Sequence, residues 1–177
     1  MKTVFINMPD SLMPLLTKVN KEDFADFLES NMKAQVKNKF DKTSEMKTLT
    51  KDYLLLNLTS RNTIEMKLLP TGDSQNLVCV INTVEGPVGD SSVCFYTTDW
   101  KELIPTDYIT FPLANDFYLV NDTINPENQR IARSKADIDL IKATLSPDNT
   151  AISFTYTTID HLDKASAEEL KPYLKQE

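Results

Sequence analysis

The chain has 177 residues, 41% of them hydrophobic and 25% charged, with a formal net charge of −7. Its 3 glycines and 1 histidine exclude Walker A loops, Rossmann fingerprints, nucleophile elbows and zinc sites built on several histidines, each of which needs those residues at fixed offsets. The acidic balance argues against nucleic acid, whose backbone demands clustered Lys and Arg.

Residues 9–33 read as two helices. Pro9 and Asp10 precede Leu12, Leu15 and Leu16, with Pro14 placed where a first turn tolerates it. Asn20 reads as the N-cap of the second helix, followed by Glu22 and Asp23, which the helix dipole favours. Phe24, Phe27, Leu28 and Met32 then form an apolar stripe at helical spacing, which reads as core. Lys33, Lys37, Lys39, Lys42, Lys47 and Lys51 outnumber Asp41 and Glu45 in the next stretch. They suit an anionic partner or, as charge runs usually do, a solvated face.

From about residue 50 the period changes to two. Leu54, Leu56 and Leu58 alternate with Tyr53, Leu55 and Asn57, and Ile64, Met66 and Leu68 alternate with Thr63, Glu65 and Lys67. The two runs predict an antiparallel hairpin with one buried face, turning at Thr59, Ser60, Arg61 and Asn62. A turn at 71–74 leads into a second predicted hairpin, 77–84 and 93–98, around Gly86-Pro87-Val88-Gly89. The result is a four-stranded meander covered on its apolar face by the helices. Beyond it, Trp100, Leu103 and Ile104 suggest a short helix stopped by Pro105, and Pro112 and Pro126 bracket a short element over 113–120. A further hairpin, 138–145 and 151–158, turns at Ser146-Pro147-Asp148-Asn149, a good type I sequence. Ser166 is the expected cap of a terminal helix. Acid-x-Leu-x-Pro-x-Leu occurs at 10–16 and again at 168–174, a faint echo of the kind that tandem duplication leaves.

Candidate chemistry is sparse. His161 lies between Asp160 and Asp163, a setting for a general base, although a histidine at a strand exit is more often a surface or capping residue. Asp137 and Asp139 share one face if their segment is a strand, an arrangement that suits a divalent cation or paired acid–base work. The same pattern is also how a half-solvated strand looks. Cys79 and Cys94 face each other across the second hairpin if its loop is 85–88, and could then form a disulfide. A shifted register leaves two buried thiols instead. Neither catalytic residues nor a cofactor or metal site is assembled by these motifs. Asn57-Leu58-Thr59 and Asn121-Asp122-Thr123 match the glycosylation pattern, which matters only on a eukaryotic secretory route. Tyr53, Tyr96, Tyr108, Tyr118, Tyr156 and Trp100 are spread over several elements and suit core packing or an exposed aromatic surface.

The runs at 4–16 (Val-Phe-Ile-Asn-Met-Pro-Asp-Ser-Leu-Met-Pro-Leu-Leu), 26–34, 44–54, 64–70 (Ile-Glu-Met-Lys-Leu-Leu-Pro) and 78–83 (Val-Cys-Val-Ile-Asn-Thr) together resemble a Bacteroidetes family known as domain of unknown function 3256. The likeness covers most of residues 1–104 and weakens beyond. It implies a protein exported to the periplasm or cell surface with the help of a leader, although residues 1–10 themselves form no signal-peptide core. It carries no reaction, ligand or catalytic residue. The order helix–helix–four strands is also similar to the tandem units of β-lactamase inhibitory protein-like domains, an analogy of fold that licenses no function.

The expected architecture is therefore α+β. Residues 1–98 form a helix–helix–four-strand unit, and residues 99–177 form a smaller, irregular α/β portion sharing its core. No run reaches the ~18 apolar residues of a membrane span. The expected function is a non-enzymatic binding or protein-interaction module of the bacterial envelope, with a protein or glycan partner. A carboxylate-dependent glycan-processing enzyme and a proteinaceous inhibitor are the rival readings.

Overall fold

A computed structural model describes residues 1–72, 75–121 and 124–175. Its first helix, α1 (Lys2–Ile6), lies earlier than the sequence suggests, and α2 (Lys18–Glu29) follows after an irregular segment. The expected helix over 9–16 is absent because Pro9 and Pro14 each bias the preceding residue away from helical backbone. Met13 and Leu16 are nonetheless fully buried, so that apolar spacing records packing rather than a helix. Thr17, not Asn20, caps α2. Its hydroxyl accepts from the Asn20 N–H while the Asn20 side chain accepts from the Thr17 N–H, both at 3.1 Å, a reciprocal box with Asn20 in the third helical position. Buried Lys21 donates to the Met8 carbonyl and faces Asp10 at 3.6 Å, fastening the proline segment to α2. Desolvation lowers the pKa of this lysine.

Among the described residues, seven strands make one antiparallel meander. They are β1 (Gln35–Lys37), β2 (Thr43–Leu49), β3 (Tyr53–Thr59), β4 (Asn62–Pro70), β5 (Asn76–Glu85), β6 (Gly89–Thr97) and β7 (Glu102–Leu103), in that spatial order. The four expected strands are the central ones, β3 to β6. Two more precede them and one follows. Of the turn expected at 71–74, Asp73 and Ser74 lie outside the described residues. No helix begins at Trp100. Its backbone adopts φ 63°, turning the chain so that Leu103 pairs with Phe95, while the indole N–H donates to the Val4 carbonyl at 3.0 Å.

Both faces of the sheet are covered, so the expected polar face is found only in part. On one face Leu54, Leu56, Met66 and Val78 meet Phe5, Met13, Leu16 and Phe24 from the N-terminal layer. On the other, Tyr53, Cys79, Ile81, Val93 and Phe95 meet a second hairpin, β8 (Ile141–Leu145) and β9 (Ile152–Tyr156). This explains why β5 is buried continuously from Leu77 to Ile81 instead of alternating.

β8 is held edge-on to the sheet by polar side chains. The N–H groups of Ile141, Ala143 and Leu145 donate to Asp90 Oδ1 (3.1 Å), Ser91 Oγ (2.9 Å) and Glu65 Oε2 (3.0 Å). Lys67 reaches the Pro147 carbonyl at 2.7 Å and Asp52 at 3.1 Å, and Tyr53 donates to Glu65 at 3.0 Å. Gly89 permits the approach: a Cβ there would stand 2.8 Å from Lys142 Cδ.

The remaining chain packs around Tyr118, Ala132, Tyr156 and Leu170. It contains α3 (Pro126–Arg133), α4 (Thr158–His161), α5 (Lys164–Leu170) and short 3-10 turns. The extended ends 117–119 and 173–175 run against each other through Leu119 N–H to Tyr173 O and Lys175 N–H to Phe117 O, both 2.8 Å. Asp163 caps α5, accepting from Ala165 and Ser166, so the expected cap Ser166 occupies the third helical position. The fold is α+β, with N-terminal helices preceding a large antiparallel sheet and a smaller second β portion. No described helix is long and apolar enough to cross a membrane.

Candidate functional site

The residues singled out in the sequence do not converge. β8 begins at Ile141, so Asp137 and Asp139 precede the strand and lose the shared face that strand geometry would give them. Asp137 is exposed, and Asp139 accepts a 2.8 Å hydrogen bond from the Tyr156 hydroxyl. Burial, with lesser help from Tyr118 and Asp139, raises the pKa of that phenol. His161 ends α4 and is exposed, while its neighbour Asp163 is occupied in capping α5. Among the described residues no group of three or more His, Cys, Asp or Glu side chains could hold a metal ion.

The cysteine pairing resolves against the disulfide. The β5–β6 turn leaves three residues unpaired, Gly86, Pro87 and Val88, rather than the four of an 85–88 loop. Cys79 therefore stands opposite Phe95 and Cys94 opposite Val80, one residue out of register and on opposite faces of the sheet. Both thiols are free. Burial pushes the Cys79 thiol up to about 12, which makes it a poor nucleophile. Of the two glycosylation patterns, Asn57 lies within β3, and Asp122 and Thr123 lie outside the described residues.

A concave feature forms instead at one end of the sheet, where alternate turns of the meander necessarily meet. A cleft of about 370 Å³ is floored by Leu69, Leu77, Phe95, Ile109 and Ile152. Tyr108, on the turn after the 3-10 segment Pro105–Asp107, forms its wall, with its ring 5.4 Å from that of Phe95. A second hollow of about 620 Å³ shares Leu77 and Tyr108 with the first and is rimmed by Gln75, Asn76, Thr98, Asp99 and Lys101. Those five side chains are exposed, as is Tyr108 at 46%. The combination is an apolar, aromatic floor with amide, hydroxyl and charged groups at the mouth, the usual chemistry of a small-ligand site.

Sequence reasoning missed this groove, although it named Tyr108. One signal was available: in a meander the β4–β5 and β6–β7 turns fall at the same end of the sheet, and both are polar, with Thr71 and Gln75 in one and Thr98, Asp99 and Lys101 in the other. The apolar floor gave no such signal, because its residues come from segments up to 83 positions apart (69 to 152).

The family described as "Protein of unknown function (DUF3256)" matches residues 1–177. The chain belongs to this family. The match extends through the second half of the DUF3256 chain, where resemblance by motif was weakest. Among solved structures, this DUF3256 fold is similar to that of a domain of an uncharacterized protein from Porphyromonas gingivalis W83. The two share 22% identity over 99% of this chain and 89% of the other, with a TM-score of 0.86. At that identity the likeness establishes the fold alone. No curated protein matches.

Proposed function

We propose that this DUF3256 protein is a non-enzymatic binding module of the Bacteroidetes cell envelope that holds a neutral saccharide in the groove at the sheet end. One observation carries this reading: exposed Tyr108 stands between the apolar floor and the rim of Gln75, Asn76 and Thr98. A sugar ring offers an apolar C–H face to an aromatic ring and hydroxyls to amides, and the groove presents both kinds of group side by side. A two-carboxylate hydrolase needs acids about 5–10 Å apart across its cleft. Among the described residues lining the groove, Asp99 is the single carboxylate. The envelope location draws on the family resemblance, and the Porphyromonas gingivalis neighbour is consistent with a Bacteroidetes source. In the same reading, residues 1–98 supply six of the seven strands, and residues 99–177 supply β7, the wall residue Tyr108 and the floor residues Ile109 and Ile152.

Calorimetric titration with neutral envelope oligosaccharides, comparing the natural chain with Tyr108→Ala, tests the proposal. Saturable binding is expected, weakened about tenfold or more in the variant, with an unchanged circular dichroism spectrum. Equal binding by both proteins, or cleavage of the oligosaccharide, overturns it.

A further inference from the structure

The second β portion carries an open strand edge beside a cleft of its own. β9 pairs with β8 on one side, and among the described residues it has no strand partner on the other. Its hydrogen-bonding sense follows from β8. Because the Ala143 N–H points to Ser91, Ala143 and its partner Phe154 form a pair whose backbone groups face away from each other. The N–H and C=O of Phe154, and those of Ile152 two residues before it, therefore point outward along the free edge. Among the described residues nothing is hydrogen-bonded to them. The large sheet, by contrast, ends in strands of three and two residues, β1 and β7, which are too short to template much pairing. Ile152–Tyr156 has five residues, with neither proline nor lysine to blunt its edge.

A cleft of about 430 Å³ lies against β9, with Phe117, Phe154, Ile159 and Leu174 among its apolar lining. Lys171 and Lys175 stand on the C-terminal wall and outnumber the one carboxylate of the lining, Asp160; neither lysine forms an ion pair among the described residues, although the chain as a whole is acidic. We propose that β9 receives an extended segment of a partner protein by strand addition, a segment alternating large apolar residues with acidic ones. Backbone bonds to Ile152 and Phe154 hold the segment. Its apolar side chains enter the cleft at every second position, and its carboxylates meet Lys171 and Lys175. This site touches the groove at the sheet end at Ile152, whose side chain lies on the groove floor while its backbone groups are used here, and it does not depend on the groove's ligand.

The test uses the full chain and two labelled heptapeptides, one alternating Leu and Phe with Glu, the other identical except for Lys in place of Glu. Fluorescence anisotropy is expected to show tighter binding of the acidic peptide. Reversal of both charges in Lys171→Glu with Lys175→Glu should weaken that binding about tenfold and favour the basic peptide instead. Both lysines are exposed, so this variant should fold as the natural chain does. On saturation with the acidic peptide, amide exchange at Ile152 and Phe154 should slow about tenfold or more, while Ser153 and Thr155, already facing β8, stay unchanged. Unaltered exchange at Ile152 and Phe154, equal affinity for the two peptides, or protection arising from dimerisation without peptide each overturns the proposal.

Discussion

The two faces of the large sheet are covered by different means. On the N-terminal side, α1, α2 and the proline segment are close in sequence to the strands they cover and pack through Phe5, Met13, Leu16 and Phe24. On the other side, the β8–β9 hairpin arrives from as far as 80 residues away and is seated by Asp90, Ser91, Glu65 and Lys67 as well as by apolar contact. Apolar packing is non-directional and tolerates small shifts. A hairpin returning over a long loop needs directional bonds to fix its register. The difference teaches that this core has a face set by area and a face set by geometry.

Phe24→Ala should break the first face most severely. It empties a fully buried site between α2 and the sheet and should cost about 3–5 kcal/mol in urea unfolding, because the cavity adds to the lost transfer energy. Glu65→Ala acts on the second face by another route, leaving the Leu145 N–H and the Tyr53 hydroxyl buried without an acceptor. A loss of about 2–3 kcal/mol is expected, with faster amide exchange concentrated in 141–156. Glu65→Gln, which retains one acceptor oxygen, should lose less; equal losses in the two variants would show that Glu65 works by volume alone.

The smallest effect concerns Cys79, on the hairpin side. Its folded pKa lies above the ordinary thiol value, so the unfolded chain ionises first as pH rises. Stability from this group is thus complete below pH 9 and declines as pH climbs toward 12. Urea midpoints measured at pH 8, 9.5 and 10.5 should fall along that series, and less steeply in Cys79→Ala. Identical slopes would place the alkaline sensitivity with the buried tyrosines, Tyr53 foremost, whose phenol is likewise raised by burial.

β3 and β4 were legible because Leu54, Leu56, Ile64 and Met66 keep a strict period of two, and β5 and β6 because apolar runs flank the turn at Gly86–Gly89. β2 was hidden by its composition: fully buried Ser44 takes a place on the apolar face, and a register shift between Met46 and Thr48 breaks the alternation. β7 could not be read at all, since two residues carry no period and their pairing depends on the left-handed backbone of Trp100. Leu12, Leu15 and Leu16 misled in the other direction, giving 9–16 a helical spacing that the exposed breakers Pro9 and Pro14 keep from becoming a helix. Pairing of the cysteines turned on one residue of loop length, which local sequence does not decide. The site was the least legible part, because the Tyr108 groove exists only once five segments have been brought to the same end of the sheet.

The row formed by Asp90, Ser91 and Glu65 amounts to a docking rail. It recognises β8 through amide groups that every residue except proline possesses, so it specifies where an extended chain lies without specifying its side chains. Ala143 and Leu145 still face packing limits, but Lys142 and Thr144 do not enter the rail's contacts with the amides. Side chains at 142 and 144 can therefore change while the amide bonds that seat the hairpin on the sheet remain.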